Sequence, residues 1–83
     1  MTRTETTNTK VSNGMKIGYQ LVQVDELLTE CNAVFTTEDD NTLYGYSFYT
    51  RESGKMQFFG VDPTIDPEQL KQMCIETKAL ITI

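Results

Sequence analysis

The sequence predicts an α+β fold: a small antiparallel sheet of three to five strands in a meander, with a C-terminal α-helix packed on one face. Three observations predict it. Residues 15–24 alternate apolar positions. Residues 42–50 and 55–61, rich in aromatic and β-branched side chains, flank a short loop. Asp66-Pro67 opens a run with helical spacing.

Taken in order, residues 1–12 are polar, and Thr2, Thr4, Thr6, Thr7 and Thr9 dominate the first ten. They offer no apolar face, so a disordered or loosely ordered tail is expected there, with 13–83 as a single domain. Asn13-Gly14 is a turn signal. In the strand expected over 15–24, Ile17, Tyr19 and Leu21 share one face, and Val22 and Val24 fall on the other. Residues 25–31 fit two readings. One is a short helix capped by Asp25 with Leu27, Leu28 and Cys31 inward; the other is a strand continued around a bulge.

A strand is expected over 33–38, then a turn at Asp39-Asp40-Asn41. Residues 42–50 form the clearest strand of the chain. Arg51-Glu52-Ser53-Gly54 is the hairpin loop, with Gly54 suited to the left-handed position, and 55–61 returns as the next strand. Asp66 is the expected N-cap of the helix. Pro67 suits its first position, where no backbone N–H is needed. Gln69 is placed to complete a capping box, and Ile65 to pack on Leu70 as a staple. Leu70, Met73, Cys74 and Thr77 fall on one helical face over 67–78. Glu68 and Lys78 suit the two ends of the helix dipole. The apolar residues 79–83 fit a last strand, which would cover Ile81 and Ile83, or a frayed end of the helix.

Composition restricts the chemistry. There is no histidine, so the chain holds neither the commonest general base nor the commonest zinc ligand. Its two cysteines, Cys31 and Cys74, are too far apart for a CxxC motif and are expected as reduced, buried thiols. No glycine-rich phosphate loop or nucleophile elbow is present. No catalytic, metal or cofactor residues are therefore assigned, and no enzyme activity is expected. The net charge of −5, from 12 acidic and 7 basic residues, argues against binding a phosphate backbone. The N-terminus lacks the apolar segment of a signal peptide, and no run approaches the ~20 apolar residues of a membrane span. A cytoplasmic protein without membrane contact is expected.

The central hairpin carries apolar side chains on both faces, although one twelve-residue helix covers only about one. An aromatic face of Tyr44, Tyr46, Phe48 and Phe58 is therefore expected to meet a protein partner or a second copy, giving a homodimer. A second feature is the acidic stretch of Asp25, Glu26, Glu30, Glu38, Asp39 and Asp40, free of Lys and Arg. Glu38, Asp39 and Asp40 are its candidate contact residues. The expected function is a non-enzymatic protein-interaction module. The alternative is an acidic inhibitor or regulator of the nucleic-acid-mimic type, docking on a basic nucleic-acid-binding protein.

Overall fold

Five strands pair in chain order, each antiparallel to the last, and one helix closes the chain. They are β1 (Arg3–Ser12), β2 (Met15–Val24), β3 (Leu27–Thr37), β4 (Leu43–Thr50), β5 (Lys55–Phe59) and α1 (Pro67–Ile81). The computed structural model describes residues 1–39 and 41–82. Asp40, an expected contact residue, and Ile83, the expected end of a last strand, lie outside them. The fold is the predicted α+β meander with a C-terminal helix.

The largest departure from expectation is at the N-terminus. Residues 3–12 are a ten-residue edge strand, in register from Arg3 opposite Val24 to Ser12 opposite Met15. Asn13 and Gly14 both have positive φ, 53° and 78°. That geometry closes a two-residue hairpin whose twist matches its strands. Threonine favours the extended backbone. β1 needs no apolar alternation of its own because its hydrogen bonds come from β2. Its start is held by the Asp25 N–H donating to the Thr2 carbonyl at 2.8 Å, and by the Thr2 N–H donating to Asp25 Oδ1 at 2.9 Å.

Residues 25–31 are not helical. Asp25 and Glu26, with φ 52° and 71°, make a second tight turn, and β3 begins at Leu27. The register shifts between Val22 and Gln23, so Thr29 is the extra residue of a bulge, its hydroxyl donating to the Val22 carbonyl at 3.1 Å. The strand-and-bulge reading is the one that holds.

Directly paired residues share a face of the sheet. Met15, Ile17, Leu21, Cys31, Ala33 and Phe35 form one buried face and pack with Met73 and Leu80 of α1. On the helix, Met73, Glu76, Thr77 and Leu80 are buried, an i, i+3, i+4, i+7 stripe. Leu70 stays exposed and Cys74 half-buried, so the inward stripe is rotated from the expected one. The helix starts as expected: Asp66 accepts from the Glu68 N–H at 2.9 Å, and Pro67 follows it. Gln69 does not complete a capping box; its Nε2 donates to Tyr44 Oη at 3.0 Å. The chain does not turn into a strand after Lys78. It stays helical to Ile81 because Leu80 continues the buried stripe, and Thr82 then donates from its hydroxyl to the Lys78 carbonyl.

Polar contacts fix the helix on the sheet. The Thr77 hydroxyl donates to Ser47 Oγ at 3.0 Å in the buried layer. Glu76 accepts from Ser12 Oγ at 2.8 Å and Gln72 Nε2 at 2.9 Å, and pairs with Lys10 Nζ at 2.9 Å. Burial pushes the Glu76 carboxyl up, but the hydrogen bonds from Lys10, Ser12 and Gln72 and the Lys10 charge together hold it below its ordinary value.

Two outcomes are expected. Asp66→Ala loses the cap and lowers stability in urea unfolding by about 1 kcal/mol. Glu76 is more acidic folded than unfolded, so its contribution is complete above the unfolded value of about 4.3 and is lost as pH falls through the folded one. The stability difference between the native chain and Glu76→Gln, measured by urea titration, is therefore expected to be constant near neutrality and to shrink below about pH 4.3.

Candidate functional site

The second face of the sheet is covered by no element among the described residues. Register places three rows that span all five strands across it, flanked by the shorter rows Val11, Lys16, Thr36, Leu43 and Arg3, Val24, Leu27. The first runs Thr9, Gly18, Val34, Tyr46, Phe59; the second Thr7, Gln20, Asn32, Phe48, Gln57; the third Glu5, Val22, Glu30, Thr50, Lys55. Val22 is 2% exposed yet lies outside the core cluster, sheltered between its row neighbours.

Tyr46 and Phe59 stack with ring centroids 5.5 Å apart and planes 13° from parallel, a geometry favoured by offset aromatic pairs. They remain 37% and 53% exposed. Gly60, with φ +62°, ends β5 beside them, and a Cβ there would lie 3.0 Å from Tyr46 Cδ2. Glycine is thus required both by the left-handed backbone and by the ring above it. Beside the pair lies an open hollow of about 270 Å³ whose lining includes Thr7, Gly18, Val34, Tyr46 and Phe59. Gly18 supplies its floor, and Val34 Cγ1 leans to 3.2 Å from where a Cβ would be.

The four expected aromatic residues do not share this face. Tyr46 and Phe48 lie on it. Phe58, opposite Ser47, packs toward the helix instead. Tyr44 is also on the helix side, because the register shift between Phe35 and Thr36 makes it the extra residue of a bulge. Phe59, Val34 and Gly18 were not singled out in the sequence. The signal for Phe59 was present: a loop of four residues, 51–54, sets Thr50 opposite Lys55, and counting back brings Phe59 opposite Tyr46.

The acidic residues do not form one patch. Asp25 and Glu26 sit at the start of β3, Glu30 within it, and Glu38 and Asp39 beyond its far end. At ~3.4 Å per residue, an eleven-residue strand separates the two turns by ~35 Å. Asp39 is engaged in its own turn. It accepts from the Thr37 hydroxyl, from the Asn41 N–H at 3.1 Å and from Asn41 Nδ2 at 2.8 Å. These bonds, Thr37 foremost, hold its carboxyl below the ordinary range.

Cys31 is 1% exposed, and burial pushes its thiol up to about 11, so it is protonated at neutral pH and is a poor nucleophile. Cys74 is half-buried, and both thiols are free. Among the described residues, no three carboxylate or thiol residues converge as a metal site needs, and no helix is long and apolar enough to cross a membrane. No family model matches the chain, and neither a curated protein nor a solved structure matches it.

With a disulfide-exchange reagent at pH 8, Cys74 is expected to react in the folded protein and Cys31 only after denaturant is added. Equal rates for the two thiols in the native state would show that the core around Cys31 opens readily.

Proposed function

We propose that this chain is a non-enzymatic protein-interaction module whose contact surface is the open sheet face around Tyr46, Phe48 and Phe59. The observation that carries this reading is the stacked Tyr46–Phe59 pair, packed over Gly60 yet exposed on a face without a covering layer among the described residues. Exposed rings already ordered lose little side-chain entropy on contact, which is why tyrosine and other aromatics anchor protein interfaces. Contiguous apolar surface rimmed by polar groups marks such sites on small proteins. Here Asn32 and Gln57 flank Phe48 in its row, with Gln20 and Thr7 beyond Asn32.

Size favours a macromolecular contact over a small ligand. The hollow of about 270 Å³ is open, whereas small-molecule sites are clefts of roughly 300–1,000 Å³ that enclose most of their ligand. The face around it is far larger than the hollow.

The test is site-specific photo-crosslinking in the native cells, with the photoreactive residue at position 59 or, as a control, at exposed Lys71 on the helix. Covalent adducts to a discrete protein are expected from position 59 and not from position 71. Adducts that are absent, or the same from both positions, would overturn the reading.

A further inference from the structure

We infer that the occupant of the open face is a second copy of this chain, packed face to face about a two-fold axis that runs parallel to the strands. The inference rests on the reading of that face as an interaction surface and adds the partner and the geometry.

The first argument is shape. Side-chain height is uneven across the face and is graded from β1 to β5 in its first row. In the first row it climbs from Thr9 and Gly18 through Val34 to Tyr46 and Phe59. Stacked sheets need surfaces that interdigitate at a spacing of about 10 Å. An in-plane axis along the strands reverses the strand order of the second copy, so its β4 and β5 lie over β2 and β1 of the first. Tyr46 of each copy then lies over Gly18 of the other, and Val34 meets its own counterpart at the axis. The hollow of about 270 Å³ at Gly18 has room for such a ring, since an apolar cavity of about 150 Å³ already holds benzene. An axis across the strands would instead set tall rings on tall rings and leave both hollows empty.

The second argument is charge. The chain carries −5 overall, yet this face holds Arg3, Lys16 and Lys55 against Glu5 and Glu30. The excess negative charge lies elsewhere, in the segments between the elements, since the helix balances Glu68 and Glu76 with Lys71 and Lys78. In the third row the same axis places Glu5 of each copy opposite Lys55 of the other, two complementary pairs from one operation. It also sets Glu30 opposite its own counterpart, a local repulsion between the two copies.

The third argument is area. Five strands about 4.8 Å apart, carrying three to four rows of inward side chains, present on the order of 600 Å² per copy. That is near the ~800 Å² per partner of a standard-size stable interface.

Sedimentation equilibrium on the native chain and on Glu5→Lys, Lys55→Glu and the double exchange tests this, with circular dichroism confirming that each is folded. The native chain is expected to dimerise. Each single reversal is expected to weaken dimerisation about fivefold, and the double exchange to restore it. Glu30→Gln is expected to tighten it. A native dimer indifferent to these changes would overturn the strand-parallel arrangement. A native chain monomeric to roughly 100 µM, with position-59 adducts to a different protein, would overturn the second copy while leaving the interaction reading intact. A monomer without adducts would end both.

Discussion

One fifteen-residue helix has to cover a sheet of five strands, and this shortage of covering layer governs the rest of the molecule. A sheet has two faces, and a chain of this size can bury only about 60% of the surface its unfolded form exposes. The helix takes the face built from Met15, Ile17, Leu21, Cys31, Ala33 and Phe35. The overall extents of 42 × 23 × 17 Å are those of a thin two-layer slab. A slab of that kind has a shallow core, and hydrophobic contact alone does not fix where the helix lies on it.

Polar side chains supply that definition. Apolar packing is non-directional, whereas a hydrogen bond demands a distance and an angle. Tyr44 meets Gln69 near the start of the helix, Ser47 meets Thr77 in its second half, and Lys10 with Ser12 meets Glu76 at the edge. These contacts involve strands β4 and β1, on either side of the apolar centre, so they restrain both sliding and rotation of the helix. None of the buried side-chain polar atoms among the described residues lacks a partner. This matters because an unmet buried group costs about 1–3 kcal/mol, a sizeable share of the stability of a small domain.

The parts legible in the sequence are those specified locally. Asp66-Pro67 starts the helix because capping needs only neighbouring residues. Gly54 reads as a left-handed turn residue, and its φ is +67°. What was not legible depends on partners distant in sequence. β1 is a strand because β2 offers an edge to threonine-rich backbone, which no pattern within 1–12 reveals. Parity alone misassigns the aromatic face. Period-two counting puts Tyr44, Tyr46 and Phe48 together, but the bulge before Gly45 turns Tyr44 to the helix side. The hairpin register puts Phe59, not Phe58, beside Tyr46. A single-residue slip exchanges every side chain between faces, so neither the number nor the identity of the rings on the open face is legible from period-two counting.

The uncovered face differs from a failed core in how its residues are distributed. A sheet meant for water would carry polar side chains at nearly every outward position. A face meant for its own helix would be apolar throughout. This one is mixed: among the described residues its rings stand at Tyr46 and Phe48 of β4 and Phe59 of β5, and Thr, Gln, Asn and charged side chains share the rows with Val22 and Val34. Two bulges interrupt the regular ladder. One, at Tyr44, removes a ring from the open face and leaves Tyr46 and Phe48 to define it. The other, at Thr29, follows Val22 in the pairing and marks where the regular ladder stops before the acidic turn at Asp25 and Glu26. Most of the acidic stretch is thereby carried to the ends of β3, away from the rings. Leu70 and Ile75 expose further apolar surface on the helix, on the other side of the slab, so the open sheet face is set apart by its stacked Tyr46 and Phe59 rings and not by apolar exposure alone.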